Sequence, residues 1–472
     1  MNLWSIARRN LRIRVLSSGL TTISVALGAG LVAALWLMIA ETEQRYRQSY
    51  AGYQAVIGPK EGSPLALVLN TVMNRGYAQG IVPMKVYREL HDGRLARRLG
   101  VNYAIPQARG DFYEGFPLVG TTDEWFTRFS RGKDESGAPV RLGMAEGEAW
   151  SFDHDAFVRF AEDKAREVEA SLGGAPASEE DHDHDGDGVP DHGPGEHVDP
   201  IPAAWRKAVI GAEVARRLGL TVGGVIVPVH GTEDFEHLHD EAASEVVGVL
   251  APTGTPIDSA IYVPISMFLS MDKHEAIHLS SPLVEDVSAD DIRISAIVFD
   301  AKNHLAASHL RTEFQNRSDA QVAWPHVEIA DLLRLVGNAA DVLRIFAWLV
   351  VAVAAMGVCV ALYNTMNERR REIAIMRALG ARRAQILGIV VLEASAVSAI
   401  GAVLGVALCH GAAFLFRTVV LERTSVALDW AAFTWDEAWL IVGVTVGGGL
   451  AGVLPAIKGA TVEVADHLGP TT

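Results

Sequence analysis

Four long apolar runs almost without charge, residues 18–40 ("SGLTTISVALGAGLVAALWLMIA"), 345–363, 386–416 and 439–454, constrain this chain more than any other feature. A helix that crosses the hydrocarbon core of a bilayer needs about 20 predominantly apolar residues. The runs predict membrane-spanning helices over 17–40, 341–364, 385–416 and 438–455. The first run follows "RRNLRIR", as the core of a cleaved signal peptide would. It is longer than the roughly 7–15 residues of such a core, and no small-x-small site precedes "ETEQRYR". It therefore reads as a retained anchor.

Arginine placement sets the expected orientation. Arg8, Arg9, Arg12 and Arg14 precede the first run, and Arg369, Arg370, Arg371, Arg377, Arg382 and Arg383 lie between the second and third. Short loops rich in Lys and Arg stay cytoplasmic. Both termini and the loop 365–384 are thus expected in the cytoplasm of an inner-membrane, multi-pass protein, with 41–340 and the loop 417–437 outside. The leading segment, 1–16, reads as an amphipathic helix with Leu3, Ile6, Leu11 and Val15 on one side and arginines on the other. The tail 456–472 follows the last span on the inside.

Charge divides along the same lines. Residues 1–40 carry four arginines and no acid, and residues 341–472 carry ten basic and ten acidic side chains, so the net −16 leaves −20 on residues 41–340. Nucleic acid is excluded as a partner of so acidic a domain, because phosphate binding needs clustered Lys and Arg. The two cysteines, Cys359 and Cys409, sit near opposite membrane faces on oppositely directed helices, so no bridge is expected. The acidic domain has no cysteine and must be held by its own core.

Within 41–340, "RISAIVFDA" and "EVVGVLAP" have the β-branched content of strands, and "RKAVIGAEVARRLGL" places a strand before a short helix. Near its end Ile329, Leu332, Leu333, Val336, Ala340 and Leu343 recur at helical spacing, which predicts a stalk helix over 326–340 running into the second span. Residues 132–202, ending in "GGAPASEEDHDHDGDGVPDHGPGEHVDPIP", differ in composition and read as an insertion or loop. The expected fold is an α-helical membrane protein with four transmembrane helices and a large mixed α+β extracytoplasmic domain between helices one and two.

The basic loop raises its own question. "RRREIAIMRALG" predicts a short helix with Ile373, Met376 and Gly380 on one face and Gly380 as its C-terminal stop. Arginines alone would serve topology and anionic lipid, contributing about 1 kcal/mol each near the surface. An apolar ridge bounded by fixed charges is suited to a groove on a partner.

"NTMNERRREIAIMRALGARRAQILGIVVLEA" resembles the cytoplasmic loop and third helix of FtsX/MacB-type ABC transporter permeases, and "VVGVLAPTGTPIDSAIYVPISMF" is similar to the segment that closes their outer domain. "AVIGAEVARRLGLTVGGVIVPVHG" and "GPKEGSPLALVLNTVMN" are similar to further stretches of that group. The resemblance implies a mechanotransmission permease: two permease copies, identical or related, work with two ABC ATPases, and ATP-driven closure passes along stalk helices to the outer domain. It implies an effect on a lipoprotein, peptide, drug or metal-linked substrate, or on a cell-wall hydrolase. The loop helix becomes the coupling helix, with Glu368, Arg370, Arg371, Glu372, Met376, Arg377 and Leu379 as its contact set. No "GxxxxGK[ST]" phosphate loop occurs in these residues. ATP and Mg are therefore expected in a separate ATPase chain, and this chain is not expected to be an enzyme or to require a cofactor.

"DHDHDGDGVPDHGPGEH" is the other distinctive chemistry. Asp183, Asp185, Asp187 and Asp191, with Gly188 and the carbonyl of Val189, follow calcium-loop spacing, although Pro194 stands where an EF-hand has glutamate. His182, His184, His192 and His197 favour zinc. "HGTEDFEHLHDE" adds His230, His237 and His239, of which His237 and His239 share a face if extended. Zinc or calcium are both open on this reading, which would make the domain a metal sensor; so is a solvated acidic loop. Glu393 and His410, inside the third run, are candidates for an ion path, with snorkelling or packing as the simpler roles.

Overall fold

The computed structural model describes residues 9, 15–50, 52–134, 136–173, 201–230, 237–271, 287–302, 304–424 and 429–460. It divides into two compact units, one formed by Met1–Gln44 with Leu333–Thr472 and the other by Arg45–Leu332. Among the described residues four helices are long and apolar enough to cross a membrane: Ser18–Glu41, Asp341–Glu368, Arg383–Val419 and Trp435–Lys458.

In the apolar unit, helix α1 (Val15–Ser49) runs without a break through "ETEQRYR". Helix α2 (Pro325–Glu368) opens on Pro325, whose missing N–H costs nothing at the first helical position. The short helix α3 (Arg370–Ala378) is followed by α4 (Arg383–Thr424), α5 (Trp435–Ala451) and α6 (Val453–Ala460). Helix α4 extends beyond the expected end at 416, because residues 412–424 hold neither Gly nor Pro to stop it. The connection expected over 417–437 is correspondingly shorter.

Lipid tails are as apolar as leucine, so helices in a bilayer associate by close packing at small residues and not by the hydrophobic effect. Two such seams occur. On the first, a Cβ added to Gly30 would lie 3.0 Å from the Gly405 carbonyl, and one added to Gly401 would lie 2.7 Å from Val25 Cβ, so α1 and α4 cross backbone to backbone. On the second, Gly448 and Gly449 of α5 take in Ser398 and Ser395 of α4. Helix α2 adds Val350 against Gly28, and Val358, Leu362 and Met366 to the common core.

The other unit is built on a mixed sheet. Strands β1 (Ala55–Gly58), β2 (Val101–Tyr113), β3 (Phe116–Thr121), β4 (Met144–Gly147), β5 (Lys207–Ile210), β6 (Ser244–Leu250), β7 (Ile261–Pro264), β8 (Ala296–Ala301) and β9 (Gln321–Ala323) lie in the order β9-β1-β8-β2-β3-β7-β5-β6-β4. The β7/β3 and β6/β5 pairs are parallel and the other pairs on this path antiparallel. The strands expected from "RISAIVFDA" and "EVVGVLAP" are β8 and β6, and "RKAVIGAEVARRLGL" forms β5 and a helix over Ala212–Leu218. Tyr53, Trp125, Phe129 and Tyr262 form the aromatic centre, with the Trp125 and Phe129 rings stacked at 4.3 Å.

One expectation is corrected here. Residues 144–173 are not a loop: β4 forms the far edge of the sheet, and a helix of twenty residues follows at His154–Gly173. Trp150, Phe152, Phe157, Phe160 and Ala161 are buried, so this stretch supplies part of the core. The acidic stretch from 174 to 200 lies outside the described residues.

Candidate functional site

The connection between α2 and α4 forms an elbow whose geometry is fixed at both ends. Helix α2 ends at Glu368, and Arg369 breaks the helical path before α3 begins. At the far end Gly380 has φ +99°, a left-handed conformation that costs glycine nothing. Its N–H donates to the Arg377 carbonyl at 3.0 Å, and the Ala381 N–H donates to the Met376 carbonyl at 3.0 Å. That pair of bonds is a Schellman cap, which satisfies two otherwise orphaned carbonyls. The stop predicted at Gly380 is therefore present.

The two faces of α3 differ from the expected arrangement. Ile373 is 2% exposed, and Met376 packs against the same apolar cluster as Leu362, Met366, Ile386 and Val390. The ridge expected to reach a partner instead fastens the elbow to its own bundle. The physical reason is that α3 is too short to leave its longest apolar face in water while buried neighbours lie beside it. Outward lie Arg371, Glu372, Ile375, Ala378 and Leu379, with Leu379 84% exposed. Of the expected contact set, Glu368, Arg371, Glu372 and Leu379 are exposed, Arg370 and Arg377 are half-buried, and Met376 points inward. Ile375 is the outward apolar residue that the sequence reading missed.

Charge ties the elbow down as well. Arg369 Nε donates to Glu372 Oε2 at 2.8 Å, and its Nη1 lies 4.0 Å from Glu393 Oε2 on α4. Glu393, 3% exposed, is thus paired at one end of the bundle and is not isolated within it. Lys458 of α6 donates to the Tyr363 hydroxyl and stands 3.6 Å from that ring's centroid. His410, the other candidate for an ion path, lies between the Trp430 carbonyl at 2.6 Å and Glu437 Oε1 at 3.1 Å. Glu437 also accepts from the Thr434 N–H and closes the capping box of α5. His410 thereby clasps α4 to the start of α5, a packing role.

The metal-ligand residues expected from sequence fare unevenly. Asp183, Asp185, Asp187, Asp191, His182, His184, His192 and His197 lie outside the described residues. His230 and His237 pair through their backbones in a short ladder. His239 is buried, and its Nδ1 lies 2.9 Å from Glu241 Oε1.

Long apolar helices packed through glycine seams, with a mixed-sheet domain between the first and second of them in sequence and a capped basic elbow between the second and third, suggest a membrane protein. Residues 344–464 match the family described as FtsX-like permease C-terminal. The chain is 30% identical over 254 residues to the macrolide export ATP-binding/permease protein MacB of Azoarcus sp. (strain BH72), covering 52% of this chain and 36% of that protein. It is 26% identical over 263 residues to the MacB protein of Hyphomonas neptunium, covering 53% and 38%. An uncharacterized ABC transporter permease, MJ1507 of Methanocaldococcus jannaschii, is 30% identical over 145 residues, 29% of this chain and 35% of that one. The matches span little more than a third of the length of these relatives. Over residues 344–464 the chain is thus similar to FtsX-like permeases, and over about half its length to MacB-type ABC transporter permeases.

Proposed function

We propose that this chain couples ATP hydrolysis in a separate ABC ATPase to movement of its mixed-sheet domain. In this reading two permease copies, identical or related, sit in the inner membrane, with both termini and the elbow in the cytoplasm and residues 41–340 outside. The ATPase subunit holds ATP and Mg. The moving domain acts on a lipoprotein, peptide, drug or metal-linked substrate.

The observation that carries the reading is the two-sided elbow. A lever must be rigid where it joins the machine and accessible where it is pushed. Ile373, Met376 and the Arg369–Glu393 pair secure one side, while Leu379 and Ile375 stand out among Arg371 and Glu372 on the other. Exposed aliphatic side chains flanked by fixed charges are what a partner's groove recognises, and a central anchor of that kind carries binding energy of about 2 kcal/mol or more.

The test is purification of the chain from its native membranes with measurement of the Mg-ATP hydrolysis that accompanies it. Leu379→Asp with Arg371→Glu is expected to lower that activity by roughly tenfold or more, in line with a loss of about 2 kcal/mol, and to leave the chain folded because both residues are exposed. Full activity in the double variant, or a wild-type preparation without ATP hydrolysis, removes the proposal.

A further inference from the structure

A second cluster, in the mixed-sheet unit, has no part in the coupling argument. The helix Met84–His91 ends on His91, Asp92 follows as its cap, and the helix His154–Gly173 begins on His154. We propose that His91, Asp92 and His154 form a binding site for a divalent transition metal of the zinc type.

One ligand atom from each of the three residues lies within 4.8 Å of the other two. The histidine side chains are 12% and 13% exposed and Asp92 is 58% exposed, so the cluster is walled on the protein side and open to solvent through the carboxylate. His91 Nε2 lies 3.0 and 3.2 Å from the two Glu124 oxygens, and Glu124 also accepts from Arg128 at 2.7 Å. A carboxylate so placed accepts, so Nε2 donates, and in the neutral ring the lone pair is on Nδ1. That Nδ1 is buried and has no hydrogen-bond partner. On the other ring, His154 Nδ1 lies 2.7 Å from the Tyr87 hydroxyl, and Nε2 lies 3.6 Å from Asp92 Oδ2.

His154 therefore has Nδ1 fixed by Tyr87 and Nε2 turned toward Asp92, while His91 has Nε2 fixed by Glu124 and its Nδ1 without a hydrogen-bond partner. This is the arrangement in which a carboxylate or hydroxyl orients a metal-binding histidine. Two imidazoles and one carboxylate suit zinc and its neighbours, whereas calcium and magnesium prefer all-oxygen sites. With Zn–N distances of about 2.0–2.1 Å, ligand atoms on a tetrahedral ion stand about 3.3 Å apart. The separations, all within 4.8 Å, must contract by at most roughly 1.5 Å. The rings are stacked at 3.7 Å with planes 10° apart. In-plane lone pairs of parallel rings do not converge, so side-chain rotation that unstacks them accompanies binding.

The test separates this cluster from the histidine-rich segment elsewhere. Zn2+ is titrated calorimetrically into the full chain in detergent, in a background carrying His182→Ala, His184→Ala, His192→Ala and His197→Ala. That background is expected to keep micromolar or tighter binding. Asp92→Asn and His154→Gln should each weaken it by at least roughly tenfold, and Glu124→Gln should weaken it by about 10–100-fold, the usual effect of an outer partner. Asp92 is largely exposed, so its variant separates lost binding from lost folding, and the metal-free melting temperature serves the same purpose for His154→Gln. Co2+ in place of Zn2+ should give visible absorption of a low-coordinate nitrogen and oxygen site, absent in the Asp92 variant. Binding no tighter than millimolar in the background, or binding unchanged by Asp92→Asn and His154→Gln, overturns the proposal. None of these results depends on the coupling function.

Discussion

Arg109→Ala is expected to destabilise the mixed-sheet unit by about 3–5 kcal/mol, because it leaves several buried acceptors unpaired and opens a cavity. Arg109 is 7% exposed, yet every hydrogen-bond partner of its guanidinium is a neutral oxygen. Nη1 donates to the Asn70 carbonyl and to Asn74 Oδ1, both at 2.8 Å, Nη2 donates to the Thr71 carbonyl at 2.9 Å, and Nε donates to Gln107 Oε1 at 3.0 Å. Asn70 and Thr71 end the helix Pro64–Thr71, so their carbonyls have no partner within that helix and lie at the negative end of its dipole. The cation thus caps a helix and also holds Asn74 in its left-handed backbone, φ +53°. Burial lowers the Arg109 pKa from its ordinary value, opposed by nearby Tyr53 and Tyr262. Alanine leaves the carbonyls unpaired and a cavity beside them, each of which is costly. Arg109→Lys should recover only part of the loss, because an ammonium cannot reproduce the planar fork. Fluorescence of the buried Trp125 and Trp150 during heating provides the readout. At roughly 2–4 °C per kcal/mol for a domain of this size, the alanine variant should melt about 10 °C lower. A shift within a degree or two would show that the network contributes little.

How much of this was legible depends on whether the deciding contacts are local. The apolar runs and the Gly380 stop were legible, because a spanning helix and a Schellman cap are determined within a few residues of chain. The sides of α3 were not: Ile373 and Met376 are as apolar as Ile375 and Leu379, and only the neighbouring helices decide which pair is buried. The stretch 144–173 was misread because the acidic residues after it dominated the composition, although Phe157, Phe160 and Ala161 already had helical spacing. The partners of Glu393 and His410 lie on other helices, so the sequence offered two ionisable groups without their answers, Arg369 and Glu437. His91 and His154 were invisible for the same reason, 63 positions apart with no spacing rule that joins them. The glycine seam does carry a local signal: "GAVLG", residues 401–405, is a G-x-x-x-G motif in an apolar run.

That seam carries the second large effect. Gly405→Leu is expected to prevent α1 and α4 from packing and so to abolish a stable apolar unit. A Cβ at 405 would lie 2.4 Å from the Ala26 carbonyl oxygen, 2.8 Å from Gly30 N and 3.0 Å from Ala29 Cβ. Two of those three atoms are backbone, which no rotamer change can move, so even Gly405→Ala requires a shift of the helix axes. Adding methylenes to a packed core costs about 1–3 kcal/mol when side chains can yield, and here the loss of close approach along the seam adds to that. Because association in lipid depends on such contacts, the expected result is a detergent-purified variant that aggregates or melts well below the wild type. Gly405→Ala should fall between them. Gly411, on the same helix, has nothing within 4 Å of its added Cβ. Gly411→Leu is therefore the control and should purify and melt like the wild type. If Gly405→Leu did the same, the α1–α4 crossing would not be what holds this bundle together, and the elbow would lose the rigid base from which a lever must act.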